Sequence, residues 1–173
     1  MRISIEQARP GDILVFKREG IIPLILGGLI KLTIARNWDF WGWHMAPVVA
    51  PDTCMDATWP RLKLSIISEL LAAGREIRCY RVFDNPPEPC KLTDYIEAHK
   101  GKRYDVIVYL FTALAALLRP RVDVPRVVNL KYTCWECTWD ALEYWDFEMC
   151  EIPNSNYNYP FITDFLRYVG EIK

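Results

Sequence analysis

Histidine is scarce in this chain of 173 residues. There are two, His44 and His99, so imidazole chemistry has two places to sit. A basic surplus is also lacking. Lys and Arg total 21 against 22 Asp and Glu, a formal net charge of −1. No positive field is available to hold a nucleic-acid backbone, and none is expected as a partner. Long apolar runs are missing too. Residues 21–30 make a run of 10 interrupted by Pro23, Gly27 and Gly28, and residues 106–118 make a run of 13. Both fall short of the ~18 residues that suggest a transmembrane segment. A buried helix or an apolar groove wall is the expectation for each. Lipid contact is the alternative, although neither has the basic polar face of a surface-lying helix. The N-terminus, Met1-Arg2-Ile3-Ser4-Ile5-Glu6-Gln7, shows no apolar signal region and no small-residue cleavage site. A cytoplasmic setting is therefore expected, with signal-independent export, as of a phage product, as the alternative.

What is present is a globular composition, 51% hydrophobic and 25% charged, which excludes disorder. The length suits a single domain over residues 1–173. Six cysteines stand at Cys54, Cys79, Cys90, Cys134, Cys137 and Cys150. In a reducing compartment they are expected as free thiols.

The pattern along the chain predicts an α+β fold, a small antiparallel sheet with helices packed on it. Arg9-Pro10-Gly11-Asp12 is a turn signal before the β-branched and aromatic run Ile13-Leu14-Val15-Phe16, read as a buried strand. Residues 44–49 and 53–58 read as two strands around an Ala50-Pro51-Asp52 turn, and residues 76–83 as a further strand. Helices are predicted over 21–35, 65–73, 105–118, 133–147 and 161–169, with Ser65 as an N-cap and Gly74 as a C-terminal glycine. Pro86-Pro87-Glu88-Pro89 reads as a stiff loop, after which Thr93 caps a helix ending near Gly101. Residues 37–43 form a Trp-rich loop.

Three residues carry the candidate chemistry. Cys134 opens a helix, where unpaired N–H groups and the helix dipole favour a thiolate and offer donors to an oxyanion. It also lies on the apolar stripe with Thr138, Ala141 and Trp145, and from position alone simple burial is the better account. Glu136, Asp140 and Glu143 fall off that stripe and are expected in solvent. His44 begins an apolar strand, where by itself a satisfied core histidine is the better reading, but it suits the imidazole partner that a thiolate needs. His99 lies at a helix C-terminus, where a cation complements the dipole. Asp56 follows His44 by twelve residues. If the loop is Ala50-Pro51-Asp52, Val49 faces Thr53 and Asp56 faces Ala46, on the face of His44 and roughly 7–8 Å away by backbone. A loop of Pro51-Asp52 alone moves the register by one and turns Asp56 to the other face.

Five stretches then combine: Arg9-Pro10-Gly11-Asp12-Ile13-Leu14-Val15-Phe16, His44-Met45-Ala46-Pro47-Val48-Val49, Met55-Asp56-Ala57, Gly101-Lys102-Arg103-Tyr104-Asp105 and Tyr132-Thr133-Cys134-Trp135-Glu136. In this order the chain resembles the NlpC-type papain-fold cysteine peptidases, in their circularly permuted branch of YiiX/YaeF-like amidases. The resemblance implies a permuted papain-like fold, a small sheet or half-barrel with helices against it. It implies a cysteine hydrolase that cleaves an amide, such as one in a cell-wall peptide. Cys134 corresponds to the nucleophile, His44 to the base and Asp56 to the residue that orients it. Tyr104 corresponds to a tyrosine on the oxyanion side. The branch often has Ser after the nucleophile and Gly two residues after the base; this chain has Trp135 and Ala46, so Trp135 bears on the oxyanion and substrate geometry. The implied partner is a peptide or acyl-amide substrate, with no cofactor.

Rival readings use the same residues. The same site acting on a lipid acyl group is one, favoured by the two apolar runs. A catalytically silent papain-like binding module is another, favoured by Trp135. Cys134-Trp135-Glu136-Cys137 is also a CxxC, but zinc takes about four ligands and no second pair is present; no metal is expected.

Overall fold

A computed structural model describes residues 1–17, 43–104, 131–147, 165 and 168–170. The apolar runs 21–30 and 106–118, the predicted helices over 21–35 and 105–118, most of that over 161–169, Trp41 and Cys150 lie outside these residues. The described elements are β1 (Arg2–Ile3), a 3-10 turn (Ile5–Gln7), β2 (Ile13–Lys17), β3 (Trp43–Ala50), β4 (Thr53–Ala57), β5 (Leu62–Ile66), α1 (Ile67–Ala72), β6 (Ile77–Tyr80), α2 (Pro89–His99), β7 (Arg103–Tyr104), β8 (Lys131–Tyr132) and α3 (Cys134–Tyr144). Six strands form an antiparallel sheet in the order β1-β6-β2-β3-β4-β5, and β7 and β8 pair in parallel apart from it. The α+β expectation is met at this level.

The central strand explains the unbroken apolar run at residues 13–16. β2 pairs with β3 on one side and β6 on the other, and Ile13, Leu14, Val15 and Phe16 are all buried. Alternation sends Ile13 and Val15 to one face, where they meet Met45, Met55, Ala57, Tyr95 and the apolar side of α3. Leu14 and Phe16 face the other way, toward Ala46, Val48, Cys54 and Ile67 of α1. Gly11, in the turn before β2, has φ +95°, and a Cβ there would lie 2.5 Å from Pro87 Cδ. Only glycine meets both constraints. The buried Asp12 beside it accepts hydrogen bonds from Arg9 N at 2.9 Å and from Arg81 Nη2 at 3.0 Å, tying the turn to the end of β6.

Several local expectations are corrected. Ser65 is not a helix cap; it lies in β5, and the helix begins at Ile67. Asp52 supplies the cap instead, its carboxylate accepting from Ser68 N at 2.8 Å and from Ser68 Oγ at 2.6 Å. The next helix starts at Pro89 rather than at Thr93. Proline suits the first helical turn because it has no N–H to leave unpaired. Thr93 sits inside that helix and donates from Oγ1 to Pro89 O at 3.1 Å. Among the described residues no helix is long and apolar enough to cross a membrane.

Candidate active site

The turn between β3 and β4 decides where Asp56 points, and it differs from the expected loop. Ala50 pairs with Thr53, so the loop is Pro51-Asp52, with Asp52 at φ +56°. That register would turn Asp56 away from His44. A bulge at Val49 absorbs one residue, and Val48 then pairs with Cys54. Continued from there, the register puts Asp56 opposite Ala46, as a three-residue loop would have done. Two local features, each shifting the strand by one, cancel.

The result is a direct contact. His44 Nε2 and Asp56 Oδ1 are 2.6 Å apart, with both residues almost fully buried. Phe16, opposite His44 on β2, meets the imidazole edge-on at 4.8 Å between ring centroids. Ser65 Oγ donates to the second carboxylate oxygen of Asp56 at 3.2 Å. Asp56 therefore engages Nε2, which leaves Nδ1 as the ring nitrogen open to the Cys134 side chain, a hydrogen-bond partner of His44. Burial by itself lowers the His44 pKa. The Asp56 charge, the Cys134 charge and hydrogen bonds to both act the other way and prevail, so the pKa lies above the ordinary 6.5. A raised imidazole pKa is the direction that a counter-ion for a thiolate would need.

Cys134 owes its position to the residue before it. Thr133 is the N-cap of α3: its Oγ1 accepts from Glu136 N at 3.3 Å, while Thr133 N donates to Glu136 Oε2 at 2.7 Å. This capping box satisfies two N–H groups and makes Cys134 the first residue of the helix. Glu136, expected in solvent, turns back to serve it. The helix is buried on most of its circumference: Trp135, Cys137, Thr138, Trp139, Ala141 and Leu142 are all buried with Cys134. Thr133→Ala is expected to cost about 1 kcal/mol of stability, read by urea denaturation, and to slow Cys134 alkylation as the helix start frays. A variant as stable as the parent would show that the cap does not hold this end.

The remaining thiols differ in surroundings. Burial, with the Asp56 charge adding to it, pushes Cys54 up to about 12; burial and the Asp12 charge do the same for Cys79. Burial raises Cys137 as well. Cys137 Sγ lies 3.0 Å from Tyr95 Oη, which also bonds Cys137 O at 2.6 Å. Cys90 is exposed. Among the described residues no group of three or more His, Cys, Asp or Glu could hold a metal ion.

The other predicted residues are placed as follows. Tyr104 is half-buried and pairs with Tyr132, two residues before the nucleophile position. Its N–H donates to Pro60 O at 3.0 Å, linking it to the loop after β4. Trp135 is packed in the core cluster between α3 and the sheet. His99 ends α2 as expected, but its ring is buried. It stacks on Tyr95 at 4.3 Å, donates from Nδ1 to Tyr95 O at 2.9 Å, and lies 3.7 Å from Asp140 of α3. Sequence reasoning missed Ser65 as a partner of Asp56, Phe16 as the wall of His44, and the capping box. The pattern Thr133-Cys134-Trp135-Glu136 carries the signal for the last; nothing in one strand announces the first two. In comparisons with known proteins, no protein-family model, no curated protein and no solved structure matches the chain.

Proposed function

We propose that this protein is a cysteine hydrolase of permuted papain-like design that cleaves an amide bond, a peptide amide being the favoured substrate class. The observation that carries the reading is the His44–Asp56 contact of 2.6 Å beside the thiol of a cysteine at a capped helix start. In the proposed mechanism the Cys134 thiolate attacks the carbonyl carbon, and the C=O electrons move onto oxygen. The Cys134 N–H, with Tyr104 as a second donor, stabilises that oxyanion. His44 Nδ1 then gives its proton to the leaving nitrogen as the C–N bond breaks. Water, losing a proton to His44, attacks the thioester and releases the acid, regenerating the thiolate–imidazolium pair. Asp56 keeps Nε2 protonated throughout.

The test is an alkylating probe followed by peptide mapping. Cys134 is expected to react at neutral pH at least about tenfold faster than exposed Cys90, because reaction follows thiolate content. Equal labelling of both would overturn the thiolate assignment. Incubation with cell-wall-type peptides and with acyl lipids, read by mass, then identifies the bond. Release of an amine from the peptide, absent in Cys134→Ala, is the expected result; cleavage of the acyl lipid alone would replace the amide with an ester.

A further inference from the structure

We infer that Ser65 is a positioning residue for the proposed nucleophile, the outermost member of a line Ser65–Asp56–His44–Cys134; this rests on the cysteine-hydrolase reading. The line crosses three strands and a helix end. Ser65 lies on β5, paired with Cys54, and Asp56 is paired with Lys63. Ser65 and Asp56 are thus diagonal neighbours on one face, where the hydroxyl reaches the carboxylate. Ser65 Oγ donates to Oδ2 at 3.2 Å, leaving Oδ1 for His44 Nε2 at 2.6 Å. Each carboxylate oxygen has its own donor, so the carboxylate plane is set from both sides.

The consequence is electrostatic and geometric. A hydrogen bond to a buried carboxylate favours its ionised form. The ionised carboxylate holds the imidazolium, and the imidazolium holds the thiolate. Without the Ser65 hydroxyl, the Asp56 carboxylate loses a donor that favours its ionised form and fixes its plane against His44. The thiolate then forms only at higher pH. Ser65 is buried on β5, the strand that leads directly into α1, so its hydroxyl reaches the carboxylate out of contact with bulk water.

The test is the pH profile of Cys134 alkylation in the full chain, for the parent, Ser65→Ala, Ser65→Thr and His44→Gln. Removing the hydroxyl is expected to move the acid limb up by about half to one pH unit, a threefold to tenfold loss of rate on that limb. Ser65→Thr keeps the donor and is expected to restore the parent limb. A purely structural role would lower the melting temperature without moving the limb. An unmoved limb in Ser65→Ala, with the limb abolished in His44→Gln, would overturn the positioning role and leave the hydrolase reading standing. An unchanged profile in His44→Gln would overturn the hydrolase reading itself.

Discussion

Removal of the His44 imidazole is expected to lower Cys134 alkylation at neutral pH, and any amide hydrolysis, by about 10²–10⁴-fold. This is the largest single effect the site predicts. In the proposed mechanism His44 both holds the thiolate and supplies the proton that the leaving nitrogen requires, and no second imidazole can replace it. His99 is engaged on α2 with Tyr95 and Asp140. The choice of substitution matters. Alanine would empty a space walled by Phe16 and leave the Asp56 carboxylate buried without its partner. Breaking a buried pair in this way costs about 3–5 kcal/mol, and the variant could lose rate simply by unfolding. His44→Gln retains most of the volume and an N–H donor for Asp56. A folded His44→Gln protein, verified by urea denaturation, should therefore show the full loss of rate. A folded variant that alkylates at the parental rate would remove His44 from the mechanism.

The second large expectation concerns pH and stability. The folded-state pKa of His44 lies above its unfolded value of about 6.5. The native state thus binds more protons than the unfolded chain at pH values between the two. The stabilisation is fully present below pH 6.5 and is lost as pH rises through the folded pKa. Each unit of upward shift is equivalent to about 1.4 kcal/mol. Asp56→Asn removes the larger of the two charges that raise the shift, while burial, which lowers it, remains. The alkaline decline should therefore flatten in Asp56→Asn, and the variant should lose stability instead on acidification below pH 6.5. There, the buried neutral ring must be charged without a counter-ion. Urea midpoints of both proteins between pH 5 and 9 give the comparison. Parallel curves would mean that Asp56 does not set the charge of His44. The same substitution should slow alkylation, since an amide oxygen can orient the ring but cannot offset its charge.

The site was legible in the sequence to different depths. Cys134 could be read because a helix start is a local event: a threonine, a cysteine and a glutamate within one turn specify it by their own hydrogen bonds. The same holds for the buried strand at residues 13–16, whose apolar run reports that both faces are covered. The helix starts around residues 65 and 89 were misread for the converse reason. A serine that can cap a helix can equally sit in a strand and donate to a carboxylate, and the deciding partner, Asp56, is on another strand. Asp52, the actual cap, stands sixteen residues from Ser68 in the sequence.

Asp56 is the sharpest example. The spacing from His44 was right for a shared face, but the loop assumed for it was one residue too long. A two-residue turn and a bulge at Val49 produce the same alignment. Register depends on the sum of such shifts, and a bulge forms only where the neighbouring strand and the core above it favour an extra residue. By itself the sequence determined the α+β pattern, the helix that begins at Cys134 and the short list of groups able to do chemistry. The tertiary structure alone decided that the Asp56 carboxylate meets His44, that Ser65 stands behind it, and that His99 is engaged elsewhere. Those contacts join separate strands and helices, whose distances are set by packing and not by position along the chain.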